Sequence, residues 1–390
     1  MEEIYLDWAA TAPVESDILK IMQETNRSFF GNPSSKHSAG RKARRIIEES
    51  RNTCADLLAV DPASVFFTSG GTESDAIPLL SLLRKRKGGH IILSSIEHDA
   101  VWEFKSLFSD LGFKVSTVEP DREGFIRPDK IRSLLTPETC AAAVMGVNNE
   151  TGAIQPLAGI GKIIRDFEKK NRISIHFHSD LVQALGKIPL KLKEWDIDSA
   201  AFSSHKIGGP RGIGILYLKK SIHALSIGGG QEGGIRPGTE NTSAIRGMTA
   251  ALQNRSELME AEFRSAEELM SLLIERLNQT DGCTIIPENR MPKDDRFSPY
   301  IITFSVAPVP GEVFTRVMND RGILIGSGSA CSANKQRKQS RVLRSMNIPE
   351  RAARGAVRVS IGHSTERKNI DTFNRIFTEE ILRLRSTLRL

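Results

Sequence analysis

The sequence predicts an α/β protein, with a large domain on a mostly parallel, buried sheet flanked by helices and a second, smaller α+β domain. Three observations predict it. The chain has 390 residues, beyond the roughly 250–300 at which one core stops growing. Short apolar runs alternate with amphipathic helical stretches through its first half, the pattern of crossover connections. From about residue 241 that alternation yields to a long helical stretch and then a mixed set of strands and helices.

Ala39, Ala43, Ile46, Ile47, Cys54, Leu57 and Leu58 recur at helical spacing and predict a helix over 38–59, closed by Asp61 and Pro62. A strand over 65–68 then meets a glycine pair. The same alternation gives strands at 91–94 and 115–118 around a helix at 100–111. It continues with an apolar run at 141–147, a helix at 160–167, and strands at 173–177 and 199–203. Glycines cluster between 208 and 238, and residues 241–279, rich in Glu, Leu and Arg, predict a helical connector. Strands at 300–306 and 356–360 and helices at 312–320 and 370–388 complete the smaller domain. There is no internal repeat and no low-complexity tract.

Composition narrows the function. Apolar residues are 39% and charged residues 26%, ordinary for a soluble globular chain, and aromatics at 6% supply no stacking platform for bases. The net charge of +7 admits an anionic partner, but the basic stretch at 41–45 is interleaved with Glu48 and Glu49 on one predicted helix, a solvated face. No zinc finger, RNA-recognition motif or arginine-rich tail accompanies the charge, so direct nucleic-acid binding is not expected. Four scattered cysteines without a CxxC pair argue against a disulfide framework and for a reducing cytoplasm. The start of the chain is acidic and its longest apolar run is short, so neither a leader nor a membrane span is expected.

Five segments carry candidate chemistry. TSGGTESD at 68–75 follows a strand and opens a helix, so its small residues and free N–H groups suit a phosphate, although helix capping explains them equally well. Asp180 and Gln183 follow a strand, where open α/β sheets place ligands; a turn-forming role is the plain alternative for Asp180. His176, His178 and Asp180 alternate on one strand face, which admits a metal, against the commoner buried, hydrogen-bonded histidine. SSHKIGGPRGIG at 203–214 sets Lys206 between a hydroxyl and imidazole cluster and glycines, either an imine-forming lysine or a lysine in a surface turn. GGGQEGGIRPGTEN at 228–241 alone is a flexible loop. In GSGSACS at 326–332, Cys331 stands among small residues with Lys335, Arg337 and Lys338 nearby, so it should be mobile, accessible and biased toward thiolate. Cys54 and Cys140 occupy apolar periodic positions and are packing residues, as is Cys283.

Taken together, these segments resemble the cysteine desulfurases of the class V aminotransferase group, within fold type I of the pyridoxal-phosphate enzymes. The resemblance runs nearly end to end: YLDWAAT at 5–11, GNPS at 31–34, residues 68–75, Glu97-His98, VNNETG at 147–152, Asp180 with Gln183, 203–206, Arg236 with Thr239, and 327–331. It implies a seven-stranded-type sheet, a large domain at 13–255, and a small domain of 1–12 with 256–390 carrying the Cys331 loop. It implies pyridoxal 5'-phosphate as cofactor, bound to Lys206 as a Schiff base, with Lys206 then moving the substrate Cα proton. Asp180 pairs with the pyridine nitrogen, His98 stacks on the ring and assists proton transfer, and Gln183 bonds the phenolic oxygen. Gly71, Thr72, Ser203, His205 and Thr239 of a second subunit hold the phosphate. Asn149 and Arg358 bind the substrate carboxylate, and Asn32 helps to position substrate.

The implied reaction takes sulfur from L-cysteine onto Cys331 as a persulfide and releases L-alanine. The implied partners are an acceptor such as an iron–sulfur scaffold and a second copy in a homodimer. Two positions depart from the family pattern, Ala76 where asparagine is usual and Leu181 where a smaller residue is. Competing expectations are a selenocysteine lyase or other class V enzyme, which the cysteine at 331 disfavours, and a non-catalytic binding protein on the same fold, which the retention of Lys206 and Asp180 disfavours. A nicotinamide dehydrogenase lacks its GxGxxG.

Overall fold

The computed structural model describes residues 3–85, 87–327 and 340–387. Its larger sheet has seven strands in the order β2 (Val65–Thr68), β8 (Gly214–Leu218), β7 (Ser199–Ser203), β6 (His176–Asp180), β5 (Thr139–Ala143), β3 (Gly89–Ser94) and β4 (Phe113–Val118). Every neighbouring pair is parallel except those made by β8, which runs antiparallel to both β2 and β7. Strands β5 and β7 are buried along their whole length, as a parallel sheet covered on both faces requires.

The helices around this sheet are α1 (Ser16–Ser28), α2 (Ser38–Leu57), α3 (Gly71–Lys85), α4 (Asp99–Trp102), α5 (Phe104–Asp110), α6 (Pro128–Leu134) and α7 (Leu157–Asn171). In α2 the buried positions are Gly40, Ala43, Ile46, Ile47, Ser50, Cys54 and Ala55, one stripe along the helix. Ile47, Cys54 and Ala55 of this stripe join a core with Phe177 and Phe202 of the sheet.

Helix α8 (Thr242–Asn278) is one continuous helix of 37 residues. Its first half buries Ile245, Met248 and Leu252 in the large core and its second half Leu269, Leu273 and Leu277 in a separate one. That second core underlies a five-stranded sheet ordered β1 (Ile4–Leu6), β11 (Ile323–Ser327), β12 (Ala356–Ser360), β10 (Ile301–Ser305) and β9 (Thr284–Ile286). Helices α9 (Gly311–Asp320) and α12 (Arg367–Thr387) accompany it, while α10 (Arg341–Ser345) and α11 (Glu350–Arg354) bury Val342, Leu343 and Ala353 in the large core.

Several boundaries differ from the expectation. The strand expected at 173–177 lies at His176–Asp180, because the neighbouring β5 first meets it at His176. The helix expected at 100–111 is broken at Glu103 into α4 and α5. Strand β8 lies inside a glycine-rich stretch that resembles loop. Gly214 begins it because a Cβ there would lie 2.5 Å from the Phe202 carbonyl and 2.7 Å from Gly70 Cα, so only glycine lets β8 pass the loop ahead of α3.

Candidate active site

The turns leaving the carboxyl ends of the parallel strands face the Ala9-Ala10 segment across a cavity of about 300 Å³. This is where an open α/β sheet gathers ligands. Gly71, Thr72, His98, Asn149, Asp180, Gln183, Ser203, His205 and Lys206 all line it, so nine of the candidate residues, scattered over more than 130 positions of sequence, share one chamber.

Lys206 sits on the 3₁₀ turn Ser204–Lys206 directly after β7. Its Nζ donates to the carbonyls of Ala9 and Ala10, both at 2.6 Å. The surface-turn alternative for Lys206 is thereby excluded. Asp180 closes β6 and is 5% exposed; its Oδ1 accepts from the Val182 N–H at 2.9 Å. One oxygen thus ties the turn while the residue lines the cavity. Burial raises its carboxyl above the ordinary range, against the pull of His98 and Lys206.

His98 caps α4, its Nδ1 accepting from the Ala100 N–H at 3.1 Å. A ring nitrogen that accepts carries no proton, so in the neutral ring the proton is on Nε2. His205 is pushed down to about 4, by burial first and then by Lys206 and Arg211, and is a neutral imidazole bonded through Nδ1 to Thr11 Oγ1 at 3.2 Å. Asn149 is presented by its neighbour: Asn148 Oδ1 accepts from Glu150 N, Thr151 N and Thr151 Oγ1, while Asn148 Nδ2 donates to Ile96 O. This is an Asx turn in a buried setting.

Three further candidates lie off the cavity wall. Arg358 on β12 is buried behind Asn149, donating from Nη1 to the Asn149 carbonyl at 3.0 Å and from Nη2 to Asp7 Oδ1 at 2.7 Å. Its Nε is buried without a hydrogen-bond partner among the described residues. Asn32 is exposed and its Oδ1 accepts from the Ser34 N–H. Thr239 is also exposed. Cys331 lies outside the described residues. Cys54 and Cys283 are held as thiols by burial, pushed up to about 11 and about 12, in keeping with packing roles.

The structure adds contacts around the cavity that the sequence pattern does not show. Asp75 lines the cavity from α3, and His178 Nε2 lies 3.0 Å from its Oδ1. His178 Nδ1 and His176 Nε2 both approach Ser199 Oγ at 2.7 Å. The alternating histidines thus serve a hydrogen-bonded chain, and no grouping of three metal-ligating side chains occurs among the described residues. Lys187, four residues beyond Gln183, is also buried beside the site. Tertiary contact alone marks these positions.

The cavity suits a planar, phosphorylated aldehyde. Helix α3 presents its N-terminal N–H groups at Gly71 and Thr72 beside Ser203, an anion cradle. A Cβ on Gly71 would lie 2.8 Å from Val182 Cγ2, so the backbone can come this close only as glycine. An acid and an amine complete the donor set, and the family model decides its meaning: the class V aminotransferase model matches residues 4–373. The chain belongs to the class V aminotransferase family. These are pyridoxal-phosphate enzymes, and pyridoxal phosphate is its cofactor.

The chain is 36% identical over 376 residues to the cysteine desulfurase IscS of Dictyoglomus turgidum, covering 95% of this chain and 92% of that protein. It is 37% identical over 390 residues to a NifS/IcsS protein homolog of Lactobacillus delbrueckii subsp. bulgaricus, covering 96% of each. Among solved structures, a NifS-like protein superposes with a TM-score of 0.89 at 33% identity, over 98% of this chain and all of that one. The family places the large, mostly parallel sheet and its flanking helices in the pyridoxal-phosphate fold that the resemblance implied.

Proposed function

We propose that the chain is a cysteine desulfurase: L-cysteine and the Cys331 thiol react to give L-alanine and a Cys331 persulfide. The substrate C–S bond breaks, an S–S bond forms on Cys331, and the protons of the two thiols account for the persulfide proton and the third methyl hydrogen of alanine. The observation that carries this reading is the joint placement of Lys206 and Asp180 with seven other candidates on one cavity, in a chain whose relatives bear that name.

Bound pyridoxal phosphate supplies an aldehyde that condenses with amines and a ring that takes up the electrons of a Cα anion. The protein's own groups do the rest. Lys206 Nζ would hold the aldehyde carbon and would be the base for the Cα proton. Asp180, tied at Oδ1 to Val182, offers its carboxylate to the ring nitrogen and keeps that nitrogen protonated. His98 covers the ring and assists proton movement, with Nε2 as its donor. Gln183 donates to the phenolic oxygen. Gly71, Thr72, Ser203 and His205 hold the phosphate, joined by Thr239 from a second copy in a homodimer. Asn149 and Arg358 receive the substrate carboxylate, which takes the place of Asp7 on Arg358, and Asn32 orients the substrate.

The sulfur then passes to an acceptor protein such as an iron–sulfur scaffold, or toward thio-cofactor or tRNA synthesis, in the cytoplasm. No described helix is long and apolar enough to cross a membrane. The two sheets with their separate cores support a large domain at 13–255 and a small one formed by 1–12 with 256–390. The test is an absorbance spectrum of the purified protein before and after L-cysteine and a reductant, with alanine and sulfide assayed together. A visible band that shifts while both products appear in equal amounts supports the reading. A colourless protein that takes up no pyridoxal phosphate overturns it.

A further inference from the structure

Lys187 is 8% exposed and lies outside the candidate set. Its Nζ donates to Gln183 Oε1 at 2.9 Å, its one hydrogen bond among the described residues, and lies 6.0 Å from the Tyr300 ring centroid. On the other side, Gln183 Nε2 donates to the Ala9 carbonyl at 2.9 Å. These two contacts leave the amide no freedom. The Ala9 carbonyl only accepts, so Nε2 must face Ala9, and Oε1 is left to accept from Lys187. A flipped amide would set N–H against N–H and oxygen against oxygen.

With Oε1 and one Nε2 hydrogen committed, the second Nε2 hydrogen is what Gln183 has left for the cavity it lines. The same Ala9 carbonyl accepts from Lys206 Nζ at 2.6 Å, so Lys187, Gln183, Ala9 and Lys206 form one continuous hydrogen-bonded line. A turn stabiliser need not end on a cavity-lining amide, and a buried amine with one partner is costly unless that partner matters.

We infer that Lys187 is a positioning residue: it fixes the Gln183 amide so that an N–H, and not the oxygen, faces the bound cofactor. The inference rests on the reading above that Gln183 meets the cofactor's phenolic oxygen. An N–H donor there stabilises the phenolate, which lowers the pH at which the Lys206–cofactor linkage loses its proton. Loss of Lys187 leaves Oε1 without its partner and the amide held at Ala9 alone, so it can rotate about that bond and carry its second N–H off the phenolic oxygen, and that pH rises.

The test is a pH titration of the visible cofactor band in wild-type holoenzyme, Lys187→Met, Gln183→Ala and the double variant, with melting temperatures taken in parallel. Lys187→Met should raise the midpoint by about 0.5 pH unit or more, the change that one ordinary hydrogen bond implies. In the Gln183→Ala background the same substitution should leave the midpoint unchanged, because the group through which Lys187 acts is gone. A purely structural Lys187 would lower the melting temperature in both backgrounds and not move the midpoint in either, which overturns the inference. A midpoint shift of equal size in both backgrounds also overturns it. A Gln183→Ala midpoint equal to wild type overturns the placement of Gln183 itself, whereas a shift for Gln183→Ala with none for Lys187→Met overturns the inference alone. Should Lys187→Met not fold, Lys187→Ala makes the same comparison.

Discussion

Replacing Asp180 with Asn tests the centre of the site with little change in shape. Val182 N–H already occupies Oδ1 at 2.9 Å, so in the variant the amide oxygen stays on Val182 and the NH₂ must face the cavity. A donor there cannot pair with a protonated ring nitrogen. It bonds the unprotonated form and so removes the positive charge that makes the ring an electron sink. Removing one partner of a buried charge pair costs roughly 3–5 kcal/mol. Because Asn keeps the Val182 bond and the packing, we take the lower end, about 3 kcal/mol, which is roughly a hundredfold in rate. The assay is alanine formation from L-cysteine under saturating cofactor, with the melting temperature as a control for folding. A variant that keeps wild-type melting and loses about two orders of magnitude in kcat meets the expectation. One that turns over within a few-fold of wild type refutes the assignment of Asp180 to the ring nitrogen.

Further outcomes are expected. Lys206→Ala should show no borohydride-stable attachment of cofactor and no turnover; covalent attachment that persists would remove Lys206 from its role. Cys331→Ala should keep the visible band and lose sulfide release, and wild-type desulfuration by that variant would rule out the persulfide relay. Phe377 is 1% exposed and its ring lies 5.4–5.5 Å from those of Phe304, Phe314 and Phe373, so Phe377→Ala should cost about 3–5 kcal/mol and lower the melting temperature by several degrees. Glu97 is pushed up to about 7, chiefly by burial. Its folded pKa lies above the unfolded one, so its stabilising contribution is present below pH ~4.5 and is lost as pH rises toward 7, on the order of 3 kcal/mol at most. Glu97→Gln should therefore flatten the melting profile between about pH 5 and pH 8; an unchanged profile would show that Glu97 does not titrate there.

The elements most legible in the sequence are those whose signal is local. β7 and β12 lie where alternation and apolar runs placed them, and α2 differs only by its last turn, because burial of one helical stripe or of a whole strand writes itself into spacing. β8 was illegible because the glycines around it answer to the close approach of Gly214 and Gly70, a contact between segments some 140 positions apart in sequence. The site divides the same way. Lys206, Asp180 and the 68–75 segment stand at strand ends among small residues and announce themselves. Lys187 owes its importance to what folding brings beside it, and nothing in its own neighbourhood distinguishes it; Asp75 and the carbonyls of Ala9 and Ala10 lie in segments that stand out, but their own contacts come only from folding.

The buried acids show how that assembly sets charge. Asp75 and Asp180 share one dry region, and each raises the cost of ionising the other. The tie breaks toward Asp180, which has the Val182 N–H on Oδ1 and the pull of His98 and Lys206 to favour its charge. The histidine next to Asp75, His178, is pushed down to about 3 by burial and then by His176, so it is neutral and offers Asp75 no counter-charge. With Asp75 kept as the acid, every bond in the chain falls into place: Asp75 O–H donates to His178 Nε2, His178 Nδ1–H to Ser199 Oγ, and Ser199 O–H to His176 Nε2. A charged Asp75 would instead need a proton on His178 Nε2 and leave Nδ1 and the serine to reverse. Burial and this chain of neutral groups behind the cavity thus favour the acid form at Asp75, while the Val182 N–H favours charge at Asp180.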